Sequence, residues 1–212
     1  MDLINQLNSL MAETGVDYAI CGGHAIDLFL GKKTRLHKDL DVAVYREDRD
    51  KIVQHMLNED WAVYEPCGTA YLHKINTVAD QKRIKANIWC VKQSNQHYRF
   101  KEHEKDMYAV DADNSEQTEL DYIEFLFNSR KDGNFLYAKN HDVKMNLVNA
   151  ILKINDIPFL APEIILLYKS TMADNPDYQL DFDNALTAMG REQIEWLKNS
   201  LSVMFQNGHK WL

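Results

Sequence analysis

The spacing of apolar positions changes several times along the chain, and each change marks an element. In residues 2–13, Leu3, Ile4, Leu7, Leu10 and Met11 recur every three or four positions, which predicts an amphipathic helix stopped by Gly15. Residues 17–21 form a short apolar run that predicts a buried strand, ending at Gly22-Gly23. Residues 24–30 read as a short helix closed by Gly31, and 34–38 as a polar connection. A second strand is expected over 39–45. A helix follows over 48–58, with Ile52, Val53, Met56 and Leu57 on one side. Strands are expected at 61–65, 70–75 and 85–91. The stretch 92–119 is mostly polar, with Tyr98, Phe100, Met107 and Tyr108 set into it; it reads as a long loop or a pair of edge strands. Residues 122–127 predict a clear strand. Lys131-Asp132-Gly133-Asn134 is a turn signal, with 135–137 as the returning hairpin partner.

From Pro162 the pattern becomes helical. Ile164, Ile165, Leu167 and Tyr168 follow it. A second helix is expected over 181–189 and a third over 191–205, striped by Ile194, Leu197, Leu201, Met204 and Phe205. The expected architecture is α/β (α+β), a mixed sheet flanked by helices over 1–155, then a helical domain over 156–212. The boundary falls near Asn155-Asp156-Ile157-Pro158.

Composition narrows the classes. The 212 residues suffice for one large domain or two small ones, and 45% hydrophobic with 26% charged is ordinary for a globular protein. No apolar run approaches the roughly 18 residues of a membrane span, and no basic stretch leads an apolar one at the N-terminus, so neither membrane nor secretion is expected. The net charge of −8 argues against a nucleic-acid partner. Cys21, Cys67 and Cys90 are odd in number and widely spaced, which fits reduced thiols in the cytoplasm rather than a disulfide framework.

Three features carry chemistry. Gly22-Gly23, between a strand and a helix, lets backbone approach a phosphate, although the turn alone would call for glycine. Asp-x-Asp occurs four times, yet only Asp39/Asp41 lies in an apolar strand. Alternation puts both carboxylates on one face, where they are either solvated or hold a divalent cation. Glu124 interrupts an apolar strand and is either an exposed edge residue or a third member of the carboxylate set, with Asp121 as the alternative third acid.

In this order, the features resemble the nucleotidyltransferase superfamily of the polymerase-beta kind. Residues 21–31, starting Cys21-Gly22-Gly23-His24-Ala25-Ile26-Asp27, and the block Arg35-Leu36-His37-Lys38-Asp39-Leu40-Asp41 are similar to the aminoglycoside 2″-adenylyltransferase and lincosamide nucleotidyltransferase group. Residues 158–163, 166–169 and 181–183 extend the likeness into the C-terminal part. His24 stands where the group often has Trp, and the third acid is Glu rather than Asp.

The resemblance implies transfer of a nucleoside monophosphate from ATP or another NTP to a small-molecule hydroxyl. It implies Mg²⁺ at two positions, with Mn²⁺ as the substitute. Asp39, Asp41 and Glu124 would hold metal and carry catalysis, and Gly22, Gly23, Arg35, His37 and Lys169 would bind the nucleotide. Lys169 could instead pair with Asp181 or Asp183, and Asp27 could brace the Arg35 loop by an ion pair or stand as a surface acid. Rival readings are an RNA- or protein-directed transferase, a non-catalytic nucleotide binder and a nucleotide-sugar glycosyltransferase.

Overall fold

The computed structural model describes residues 3–68, 71–113 and 115–212. Asp2 in the first expected helix, Ala70 at the start of an expected strand and Asn114 in the polar stretch lie outside the described residues. In chain order the elements are α1 (Leu3–Thr14), β1 (Tyr18–Ile20), α2 (Gly22–Leu30), β2 (Asp41–Tyr45), α3 (Arg49–Asn58), β3 (Ala62–Cys67), β4 (Tyr71–Ile75), β5 (Asn87–Val91), β6 (Tyr98–Glu104) and β7 (Met107–Ala112). There follow β8 (Tyr122–Lys131), β9 (Asn134–Leu136), β10 (Lys144–Asn146), α4 (Leu147–Ala150), β11 (Ile151–Ile154), β12 (Ile157–Leu160), α5 (Pro162–Lys169), α6 (Pro176–Leu186) and α7 (Arg191–Met204). The fold is mixed α/β, with parallel and antiparallel strand pairs and flanking helices. No helix among the described residues is long and apolar enough to cross a membrane.

The chain divides into two compact units that interleave in sequence. The first joins the residues up to Tyr18 to His37–Phe127, and the second joins Ala19–Leu36 to Asn128–Leu212. The expected boundary near 155–156 therefore falls inside the second unit. Asn155 and Asp156 (φ 50° and 63°) form a two-residue turn closing the antiparallel β11–β12 pair, in which Ile154 faces Ile157. Two residues at positive φ match the twist of flanking strands, and Asn and Asp tolerate that region best after glycine. The Asp132-Gly133 turn between β8 and β9 works in the same way and matches the expected hairpin.

In the first unit the strands run in the order β2-β8-β5-β3-β4-β7-β6. Side chains alternate faces, so residues opposite one another share a face. One face carries Ile123, Phe125, Ile88, Cys90 and Val63, all at 0% exposure, and lies on the side of α3, whose Ile52, Val53 and Met56 are also fully buried. Each such side chain contributes about 1.5–3 kcal/mol on burial. The other face carries Glu124 opposite Trp89, and Trp89 opposite Tyr64. The polar stretch 92–119 supplies β6 and β7, the edge-strand alternative. Their Tyr98, Phe100, Tyr108 and Val110 pack on this second face against Tyr64, Val91 and Tyr122.

The α3 side also buries a charge network that sequence reading missed. Glu65 has no exposed side-chain surface and accepts from Arg49 Nη2 at 3.0 Å, from the Arg83 N–H at 2.9 Å and from the Lys82 N–H. Arg49 also lies over the Phe127 ring, 4.7 Å from its centre. This ties the 82–83 segment to β3 and α3.

In the second unit, β1 pairs parallel to β12, with Ile20 beside Phe159. Gly22 takes φ +64°, a left-handed conformation cheap only for glycine, and the chain turns from β1 straight into α2. The helix thus begins at Gly22 rather than at residue 24 as expected. Helix α6 starts five residues before the expected 181, because Pro176 occupies its first turn and the Asn175 side chain accepts from the Asp177 N–H at 2.9 Å. The C-terminal tail packs here too: Trp211 stacks on Phe182 at 4.3 Å.

Breaking the Arg49–Glu65 pair should strand a buried carboxylate. We expect Arg49→Met to lower unfolding stability by about 3 kcal/mol, measured by urea denaturation. Unchanged stability would mean that the backbone N–H groups and His73, whose Nδ1 lies 3.4 Å from Glu65 Oε1, suffice to hold Glu65.

Candidate active site

The site in the first unit begins where β2 begins. The strand starts at Asp41 rather than at Asp39, but the carbonyl of Leu40 still accepts the Glu124 N–H at 3.0 Å, which brings the Asp-x-Asp segment beside β8. Alternation holds across the entry: Asp39 is exposed, Leu40 is fully buried, Asp41 is half-buried and Val42 is fully buried. Apolar burial of Leu40, Val42 and Val44 fixes the register that turns the two aspartates the other way.

Glu124 is half-buried on β8 between neutral donors. Asn87 Nδ2 donates to Oε1 at 2.6 Å. Its carboxyl is pushed from the ordinary 4.5 up to about 7, by burial first. The Asn87 hydrogen bond opposes the shift, the nearby Asp39 charge adds to it, and the polar groups of Trp89 and Tyr122 beside it oppose it. Tyr98 and Tyr122 stack at 4.2 Å, and Trp89 meets each of them edge-on, at 5.8 and 5.6 Å. Burial pushes both tyrosine hydroxyls up, and the charges of Asp39, Asp41 and Glu124 push them further. Both hydroxyls stay protonated, so they remain donors in a field made by all three carboxylates.

Asp121, the alternative third acid, differs. It precedes β8 and has the opposite parity to Glu124. It is 6% exposed, and burial raises its carboxyl; its charged neighbours are His97 and Glu119, not Asp39 or Asp41.

The donor set of Asp39, Asp41 and Glu124 is entirely carboxylate oxygen, which suits a hard divalent cation. Among the described residues, no three His, Cys, Asp or Glu side chains are arranged to hold a metal unaided. Mg²⁺ does not need them to be, because it keeps waters and nucleotide phosphate oxygens beside one or two carboxylates. His37 is 3% exposed, and its carbonyl accepts the Gln117 N–H at 2.9 Å, which anchors the start of the Asp-x-Asp segment.

The second unit holds the remaining expected residues. Gly22 and Gly23 form the first turn of α2. Asp27 accepts from both the N–H and the hydroxyl of Thr34, at 2.9 and 2.6 Å, and so braces the Arg35 loop through Thr34. Lys169 pairs with Asp181, Nζ to Oδ2 at 2.9 Å, as one of its two expected alternatives. Sequence reading missed that Arg35 grips the same carboxylate, Nε and Nη2 each at 3.0 Å. It also missed Asn87 as a partner of Glu124. A polar residue opening an apolar strand was the available signal for Asn87.

Carboxylates beside one another on an apolar sheet, among neutral donors, suit phosphoryl- or nucleotidyl-transfer chemistry. The model of the aminoglycoside-2''-adenylyltransferase family matches residues 3–161, and the chain belongs to that family; it is a nucleotidyltransferase. Among solved structures, the chain is similar to the lincosamide antibiotic adenylyltransferase LnuA in its lincomycin-bound form. Identity is 14%, covering 88% of this chain and 96% of that one, with a TM-score of 0.54. It is also similar to ANT(2'')-Ia in complex with adenylyl-2''-tobramycin: 16% identity, 95% and 98% coverage, TM-score 0.52. A solution structure of ANT(2'')-Ia gives 15%, 97% and 95%, and 0.53. At these identities the likeness establishes the fold. A comparison with curated proteins finds no match.

The raised Glu124 has a consequence for stability. The unfolded chain releases this proton near 4.5 and the folded one near 7, so stability falls as pH rises between them and stays lowered above. In metal-free protein at pH 8, Glu124→Gln should therefore gain about 1–3 kcal/mol, read as a higher Tm. Equal Tm values at pH 8 and pH 4.5 would remove the burial argument.

Proposed function

We propose that this enzyme moves a nucleoside monophosphate, AMP from ATP in the first instance, onto a hydroxyl of a small molecule. Aminoglycoside and lincosamide antibiotics are the acceptors to try first. The observation that carries the reading is the 3.0 Å hydrogen bond from the Glu124 N–H to the Leu40 carbonyl, which sets the Asp39/Asp41 segment beside Glu124. Family membership and the antibiotics bound to the two solved relatives, lincomycin and adenylylated tobramycin, support the choice of acceptor.

In this reading the acceptor oxygen attacks the α-phosphorus, the bond to the bridging oxygen breaks, and pyrophosphate leaves. Glu124 takes the hydroxyl proton, a role open to a carboxylate within hydrogen-bond reach of the acceptor hydroxyl. Asn87 holds the carboxyl in one orientation. Tyr98 and Tyr122, kept protonated, line the same face as donors. Asp39, Asp41 and Glu124 would hold Mg²⁺, as two ions or with Mn²⁺ in its place. When bound, the metal supplies positive charge against the carboxylates and the phosphate oxygens. Gly22 and Gly23 offer backbone N–H groups at a helix start to the phosphates, Arg35 and Lys169 offer cations, and His37 shapes the approach to the Asp-x-Asp segment. A cytoplasmic setting belongs to the same reading, with Cys21, Cys67 and Cys90 as reduced thiols outside any disulfide.

The test is incubation with labelled ATP, GTP, CTP and UTP, Mg²⁺ and an antibiotic panel, following pyrophosphate release and product mass. We expect a nucleoside-monophosphate adduct that EDTA abolishes. Asp39→Asn and Asp41→Asn should each lower kcat by at least about 100-fold while the protein stays folded by circular dichroism. A near wild-type rate in either variant overturns the metal assignment.

A further inference from the structure

The geometry points to Asp181 as a positioning residue that sets Arg35 and Lys169 into one rigid two-cation clamp for the triphosphate. The inference rests on the phosphate role proposed for those two cations and deepens it. Asp181 stands on α6 with no exposed side-chain surface. Both of its oxygens are engaged: Oδ1 receives Arg35 Nε, and Oδ2 receives Arg35 Nη2 and Lys169 Nζ, all within 3.0 Å. The three residues come from three separate elements, the loop after α2, the end of α5, and α6. Two N–H groups of the guanidinium lock its plane, and Nη1 is turned to the Leu36 carbonyl at 3.0 Å. Lys169 is further seated over the Tyr178 ring, 4.1 Å from its centre.

Two cations on one carboxylate leave the trio with a net charge of +1, so they are held in fixed places without being neutralised. An anion with several oxygens is the ligand that two fixed neighbouring cations recognise, and a triphosphate is such an anion. Arg35 keeps 16% of its side chain exposed while Lys169 keeps 9%, so the clamp retains an outer side. The carboxylate of Asp177, 4.0 Å from Arg35 and 53% exposed, is screened by water and weakly held.

The test is a double-mutant cycle read by calorimetric titration with inorganic tripolyphosphate in metal-free buffer, beside Tm. The proteins are wild type, Lys169→Met, Asp181→Asn and the double variant. We expect Asp181→Asn to weaken tripolyphosphate about tenfold in the wild-type background and by less than about threefold once Lys169 is gone, because it acts through the cations. A lowered Tm with affinity within twofold makes Asp181 purely structural and overturns the inference. An equal loss in both backgrounds also overturns it. Should Asp181→Asn fail to fold, Tyr178→Leu keeps all three charges and removes the ring beneath Lys169. We expect it to lower affinity about threefold, and unchanged affinity would overturn the inference. If wild type does not bind tripolyphosphate while nucleotide adducts still form, the clamp falls and the transferase reading stands; if adducts also fail, that reading falls as well.

Discussion

Burying a carboxylate is expensive, and the ways in which this chain meets that cost organise its two units. Glu65, Asp181 and Glu124 all interrupt apolar surroundings. Glu65 is compensated by Arg49 and two backbone N–H groups. Burial would raise Asp181, but the Arg35 hydrogen bonds and the Lys169 charge outweigh it and hold the carboxyl below the ordinary range. Glu124 is treated differently: its hydrogen-bond donors are neutral, and the nearest influential charge is that of Asp39, which is negative. Asp181 is held ionised. Glu124 is left close to the point where it can give or take a proton.

That contrast separates scaffold from chemistry. The Glu65 network lies on the α3 side of the first unit's sheet, where it fastens the segment after β4 to the core. Glu124 lies on the opposite face, at the end of an aromatic layer that runs through Trp89, Tyr98, Tyr122, Tyr64 and Phe100. Edge-to-face and stacked rings cover one side of Glu124 and keep water from that side. The β6–β7 hairpin is what brings Tyr98 into this layer. A polar stretch with a few aromatic residues, indistinct as sequence, becomes one wall of the acid site because those aromatics alternate toward the same face.

The Asp-x-Asp segment was legible because it combined two periodicities. Leu40, Val42 and Val44 demand the core, and strand alternation then leaves Asp39 and Asp41 facing away from it. Glu124 was legible for the same reason, as a charge in a strand otherwise committed to burial. Gly22 was legible because a sharp strand-to-helix turn needs positive φ. The helical C-terminal pattern was legible in outline, but the start of α6 was not, since the Asn175–Pro176 cap carries more weight than the apolar stripe behind it. The Asn155-Asp156 pair looked like a linker because hairpin turns and linkers use the same small polar residues.

The sequence alone therefore determined the local elements, the strand faces and the residue types that carry charge, because these follow from spacing within a few residues. It determined the family as well, through motifs that keep their spacing. Only the tertiary structure decided the interleaving of the two units, the pairing of Asn87 with Glu124, and the grip of Asp181 on Arg35 across 146 positions. Those outcomes depend on which strands and helices become neighbours, and on how much water their packing removes from each carboxylate. Neither quantity is carried by the spacing of residues along a chain.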